Sequence, residues 1–141
     1  MVKYKKKKII YTEEKEEYYH SSIFNLVIDK SNIISAGKGV FTKESISNNT
    51  FIDFYTGDIC YNIRCGEYFV EIDDNCGINA ISFPRCYMAM INDAYNSQFI
   101  NNCEIRINYN KTLNNCVEIW SIKNIEKGEE LFLNYGDEYW K

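Results

Sequence analysis

A mainly β fold, with short strands in small sheets and few short helices, is predicted for this sequence. Three observations predict it. Residues 104–109 alternate Glu104, Arg106 and Asn108 with Ile105, Ile107 and Tyr109, the period of a half-buried strand. Residues 117–122 form a β-branched and aromatic run. No long amphipathic helical stretch follows residue 22.

The elements follow in order. Residues 3–8 are a basic run and residues 13–17 an acidic one, so 1–22 reads as a charged, solvated arm before one domain over 23–141. Residues 24–29 are an apolar strand candidate, broken by the glycines Gly37 and Gly39. Ser47-Asn48-Asn49-Thr50 has turn chemistry, so Ile46 and Phe51 flank a reversal into a strand over 51–55. Further strands are expected over 68–72 and 78–83, and the one short helix over 87–95. A last strand is expected over 131–135, entered through the turn at Lys127-Gly128.

Composition bounds the function. With 141 residues, of which 45% are apolar and 16% aromatic, the chain has the means to build one packed domain. Twenty acidic against 16 basic residues give a net charge of −4. That argues against direct nucleic-acid binding and suits a basic peptide as partner. The six cysteines contain no C-x-x-C pair, so no zinc site is expected, nor any other metal. Reduced thiols in an intracellular protein, in cytoplasm or nucleus, are the expectation. No apolar run approaches the ~20 residues of a membrane span. The amino terminus lacks the apolar core of a signal peptide.

Three clusters stand out. Ala36-Gly37-Lys38-Gly39-Val40-Phe41 lets the backbone turn tightly and approach a ligand. No later glycine makes it a dinucleotide fingerprint. Ile91-Asn92-Asp93 and Asn101-Asn102-Cys103 offer paired donors and acceptors. Gly128-Glu129-Glu130-Leu131-Phe132-Leu133-Asn134-Tyr135-Gly136-Asp137 places a phenol beside a glycine. Each cluster alone reads as a turn, an Asn-rich loop or core packing. The carboxylates Asp73, Asp74, Glu129 and Glu130 read as solvated surface, and the lone His20 as incidental.

In this order and spacing the clusters, with Phe54-Tyr55-Thr56-Gly57-Asp58-Ile59 between them, resemble the SET-domain family from about Ala36 to Trp140. The ending Gly136-Asp137-Glu138-Tyr139-Trp140 is most similar to the short viral members. The resemblance implies a pseudoknotted β fold and S-adenosylmethionine-dependent methylation of protein lysines, on histone tails or other basic proteins of chromatin. By position, it implies that Lys38, Gly39, Asn92, Asp93, Tyr135 and Trp140 bind the cofactor, with Trp140 over the adenine. Tyr135 would be catalytic, and Leu133, Ile105 and Tyr55 would line the lysine channel. If 131–135 is a strand, Leu133 and Tyr135 share a side. Leu133 carries no hydroxyl, so di- or trimethylation is expected.

Two departures matter. The family's Asn-His is Asn92-Asp93 here, which removes the histidine side chain from the knot, and the loop before Asn102 is longer. No zinc-binding cysteines follow Tyr135, so either Trp140 alone covers the adenine or a second subunit does, and the resemblance to the short viral members favours a homodimer. The alternative function is a SET-like fold that binds cofactor or peptide as a weak or inactive scaffold.

Overall fold

The computed structural model describes residues 15–61 and 66–136. Among these residues ten short strands make four small sheets. β1 (Tyr18–Tyr19) pairs in parallel with β8 (Arg85–Cys86). β2 (Leu26–Lys30) and β3 (Lys38–Thr42) form an antiparallel hairpin. β4 (Phe51–Phe54), β10 (Val117–Ser121) and β9 (Cys103–Ile107) form a three-stranded sheet in that order. A second has the order β5 (Asp58–Tyr61), β7 (Cys76–Asn79), β6 (Phe69–Asp73). The only helical pieces among the described residues are two 3-10 turns, Tyr87–Met90 and Leu113–Asn115. Among the described residues no helix is long and apolar enough to cross a membrane.

The patterning of β10 explains the middle sheet. Val117, Ile119 and Ser121 are buried, while Glu118 and Trp120 alternate outward. Trp120 is covered on that face by the Arg106 guanidinium, 4.4 Å from its ring centroid. Buried Ser121 closes the reversal at 47–50: its hydroxyl donates to the Ser47 carbonyl at 2.6 Å and accepts from Thr50 N–H at 2.9 Å. Asn49 takes the positive φ of 58° that this reversal requires. β9 shows the expected alternation, but Ile105 and Ile107 face a cavity and stay half-buried, with Arg106 Nε donating to Glu104 at 2.6 Å on the other side.

Two expected elements differ. The helix over 87–95 stops at Met90, because the backbone from Ile91 is extended and used by another segment. The strand over 131–135 is reduced to single bridges, Phe132 to Asn92 and Leu133 to Cys103, both parallel. Leu131–Tyr135 runs between 91–93 and 101–103 and bonds to both, so no long ladder forms. This threading is the knot of the fold. Residues 15–22, assigned to the arm by sequence, carry β1, and Arg85 N–H donates to the Glu17 carbonyl at 2.8 Å. The core gathers Val40, Ile52, Ile78, Met88, Ile119 and Leu133.

Candidate active site

The β2–β3 hairpin holds the Gly-Lys-Gly segment. Lys38 and Gly39 stand in β3 opposite Lys30 and Asp29. Behind Gly39 lies Glu130, only 2% exposed. Its carboxylate accepts the Ser31 hydroxyl at 2.6 Å and the Asn32 N–H at 2.8 Å, and so ties down the hairpin loop. A Cβ on Gly39 would lie 2.2 Å from that carboxylate, which explains the glycine without any appeal to φ. Glu130 is therefore not the solvated acid its charge suggests. A carboxylate can be buried when its oxygens are hydrogen-bonded, and here two donors from the distant Ser31-Asn32 segment meet on it, one on each oxygen.

Asn92 links this hairpin to the knot. Its Nδ2 donates to the Lys38 carbonyl at 2.9 Å, and its own carbonyl accepts Leu133 N–H at 2.9 Å. Asn102 works from the other side: its Oδ1 accepts Phe132 N–H at 2.8 Å and its Nδ2 donates to the Glu130 carbonyl at 3.0 Å. Asp93, 7% exposed, holds three donors. Oδ2 accepts Tyr135 N–H at 2.8 Å, and Oδ1 accepts Tyr95 N–H at 2.9 Å and Asn101 Nδ2 at 3.1 Å. The side chain that replaces the family's histidine thus still fastens the threaded segment.

Tyr55, Ile105, Leu133 and Tyr135 line one cavity of 540 Å³, with Phe69 and Met88 among its other walls. The structure brings the three residues expected in the channel together with Tyr135, although they come from three separate stretches of the chain. The Tyr135 hydroxyl donates to the Ile91 carbonyl. The Tyr55 hydroxyl donates to the Tyr68 carbonyl at 2.6 Å. Burial, with smaller help from neighbouring Cys86, pushes the Tyr55 phenol well above its usual range, so it stays a neutral donor.

A second cavity of 320 Å³ has Lys38 and Asn92 in its wall, with Tyr18, Glu16, Tyr68 and Arg85. Both cavities touch Glu67 and Ala89. Gly39 and Asp93, also expected to bind the cofactor, line neither of these two cavities. Trp140 lies outside the described residues. Lys38 reaches out to Glu16 at 3.5 Å and over the Tyr18 ring, both solvent-facing contacts. His20 packs on Tyr87 with ring centroids 4.5 Å apart, away from both cavities. Among the described residues no cluster of His, Cys, Asp and Glu could hold a metal ion.

Sequence reasoning missed Arg85 and Tyr18. A signal existed for Arg85: it is the one charged residue between Ala80 and Asn92, in an otherwise apolar run. Tyr18 gave none, because it lies in a stretch whose charges read as solvated.

Comparison with known proteins adds the following. The SET-domain profile matches residues 37–136. No curated protein sequence matches significantly. Among solved structures, a candidate histone methyltransferase of Plasmodium falciparum is 25% identical, with a TM-score of 0.62 over 84% of this chain and 98% of that one. Polycomb Repressive Complex 2 of Chaetomium thermophilum, bound to S-adenosylmethionine, is 26% identical with a TM-score of 0.65. The likeness covers 81% of this chain but only 15% of that one. KRYPTONITE, solved with DNA and S-adenosylhomocysteine, is 24% identical with a TM-score of 0.67 over 82% of this chain and 24% of that one, and shares the fold.

Proposed function

We propose, from the premise that the chain belongs to the SET-domain family, that it is an S-adenosylmethionine-dependent protein-lysine N-methyltransferase. One observation carries this reading: the cavity of Tyr55, Ile105, Leu133 and Tyr135 adjoins the cavity of Lys38 and Asn92 through Glu67 and Ala89. Two ligands entering from opposite sides would meet there.

The second cavity suits the cofactor by its lining, which combines donors (an amide and a guanidinium) with acceptors (carboxylates) and aromatic faces. Lys38, Gly39, Asn92 and Asp93 are the residues assigned to hold it, and Trp140 and Tyr135 complete the assignment. S-adenosylmethionine supplies, when bound, an electrophilic methyl group on a positively charged sulfur. The protein's own task is to deliver a neutral amine. A free lysine amine has a pKa of about 10.4, so its deprotonation at pH 7.4 costs about 4 kcal/mol. Ile105, Leu133 and the rings of Tyr55 and Phe69 disfavour the ammonium form and lower that cost. The Tyr135 proton is committed to the Ile91 carbonyl, so its oxygen offers lone pairs. Accepting an N–H from the amine would aim the nitrogen lone pair at the reacting carbon. A phenol is too weak a base at neutral pH to act otherwise.

The substrate class proposed is a basic protein, histone tails included. Glu67 and Glu71 on the lysine cavity support a basic sequence around the target. A homodimer and kinship with the short viral members belong to the same reading, on the strength of the terminal Gly-Asp-acidic-Tyr-Trp pattern, and so does an intracellular location, on the strength of cysteines expected as reduced thiols. The test is transfer of labelled methyl to a panel of histones and other basic proteins, with the label traced to methyllysine. Transfer to lysine is expected. Cofactor binding without transfer to any protein would replace the reading by a non-catalytic scaffold.

Leu133 lines the lysine cavity beside Tyr135 and adds no hydroxyl to it. Di- or trimethyllysine is therefore the expected product. Leu133→Tyr narrows the space and adds a polar group, and is expected to raise the monomethyl share about tenfold. Mass spectrometry of the products reads both. A wild type that stops at monomethyllysine with cofactor in excess removes the di- and trimethylation reading.

A further inference from the structure

Arg85 is 7% exposed, yet it carries a full positive charge. Its guanidinium lies between the Tyr68 and Phe83 rings, 4.0 and 4.2 Å from their centroids. Nε donates to the Ala80 carbonyl at 2.9 Å, Nη2 donates to the Ile81 carbonyl, and Nη1 finds only the Met90 thioether at 3.7 Å. Every acceptor is neutral, and the weakest faces the terminal nitrogen. The ion pairs among the described residues are Lys38 with Glu16 and Arg106 with Glu104, neither of which involves Arg85.

A guanidinium has five N–H donors, and these contacts occupy three. A buried cation without an anion is unfavourable, and ring faces offset only part of that cost. Arg85 also lines the cavity of Lys38 and Asn92. Lys38 is already engaged by Glu16, which leaves Arg85 as the cavity's uncompensated cation. Glu67, an exposed acid on the same cavity, forms no ion pair among the described residues. A cation and an acid, both open on one small cavity, complement an α-amino acid zwitterion.

We propose that Arg85 recognises the α-carboxylate of the amino-acid part of the ligand in this cavity, and so selects ligands that keep that carboxylate. The proposal rests on the cofactor reading above and adds to it a positioning residue. Planar, paired N–H groups match a carboxylate through two parallel hydrogen bonds. Nη1, now on a thioether, gains a charged acceptor.

The test is calorimetric binding of S-adenosylmethionine, S-adenosylhomocysteine and decarboxylated S-adenosylmethionine. The last keeps adenosine, sulfonium and amine but lacks the carboxylate. Wild type is expected to bind the decarboxylated ligand about 10- to 100-fold more weakly than S-adenosylmethionine, the range of a charged hydrogen bond. Arg85→Met should bind both equally and weakly, and Arg85→Lys should regain part of the preference. Wild type that binds both ligands within about threefold overturns the role of Arg85 and leaves the cofactor reading standing. Binding of none of the three overturns both. The wild-type comparison decides by itself if a variant fails to fold.

Discussion

Tyr135→Phe is expected to lower the methyl-transfer rate by about 10²- to 10³-fold while leaving cofactor affinity within about threefold. The substitution removes one oxygen at the floor of the lysine cavity. Orientation of a nucleophile is worth that order of rate, because an amine free to rotate spends little time in line with the reacting carbon. The fold should tolerate the change. The lost bond to the Ile91 carbonyl is one hydrogen bond, worth about 1 kcal/mol net. Tyr135 also stays fastened through its backbone N–H on Asp93. Single-turnover kinetics beside calorimetry separates the two quantities. A variant that transfers methyl at the wild-type rate would remove Tyr135 from the catalytic centre.

Asp93→Ala should cost about 2–4 kcal/mol of folding stability. It strands three donors at a buried position: the N–H groups of Tyr135 and Tyr95, and the Asn101 amide. Each unsatisfied buried group costs about 1–3 kcal/mol, reduced where water enters. Against a total of about 5–15 kcal/mol that is a large share. Asp93→Asn is no simple rescue. Its oxygen can replace Oδ1 for Tyr95 and Asn101, but its NH₂ then meets the Tyr135 N–H, donor against donor. It should fall between wild type and Asp93→Ala. Urea denaturation measures the stabilities, and amide exchange at Tyr135 reports the local bond. Stability of Asp93→Ala within about 0.5 kcal/mol of wild type would contradict this account of the knot.

The strands that were legible in sequence are those whose faces see different surroundings. β10 alternates because one face meets the core and the other is half-exposed, and β9 alternates in residue type because its Ile105 and Ile107 face a cavity while Glu104 and Arg106 pair on the other side. β1 and β8 contribute two residues each, too few to show any period. The segment 131–135 read as a strand from its apolar run, but its partners are two short stretches on either side, which sequence cannot announce. Glu130 was misread for a related reason. Its charge suggested surface, and the two groups that satisfy it, with the glycine that makes room, lie in the chain far before it. Leu133 and Tyr135 were assigned to one side on the period of a strand, and they do line one cavity, though the local backbone is no regular ladder. The Asn92-Asp93 pair shows how a substitution can look like a loss when only the residue type is seen. The carboxylate accepts three donors that a histidine ring could not all serve.

The threading of 131–136 between 91–93 and 101–103 also sets an order of events in time. The β2–β3 hairpin is local and can close within microseconds. Its loop is not fixed until Glu130 arrives from almost a hundred residues later. On the ribosome, the glycine-rich loop and the lysine cavity therefore stay unfinished until the last described residues have emerged. Both half-sites wait on a single late step, so a partly made chain holds neither a complete cofactor wall nor a complete lysine channel. Activity would appear all at once, with the closing of the knot.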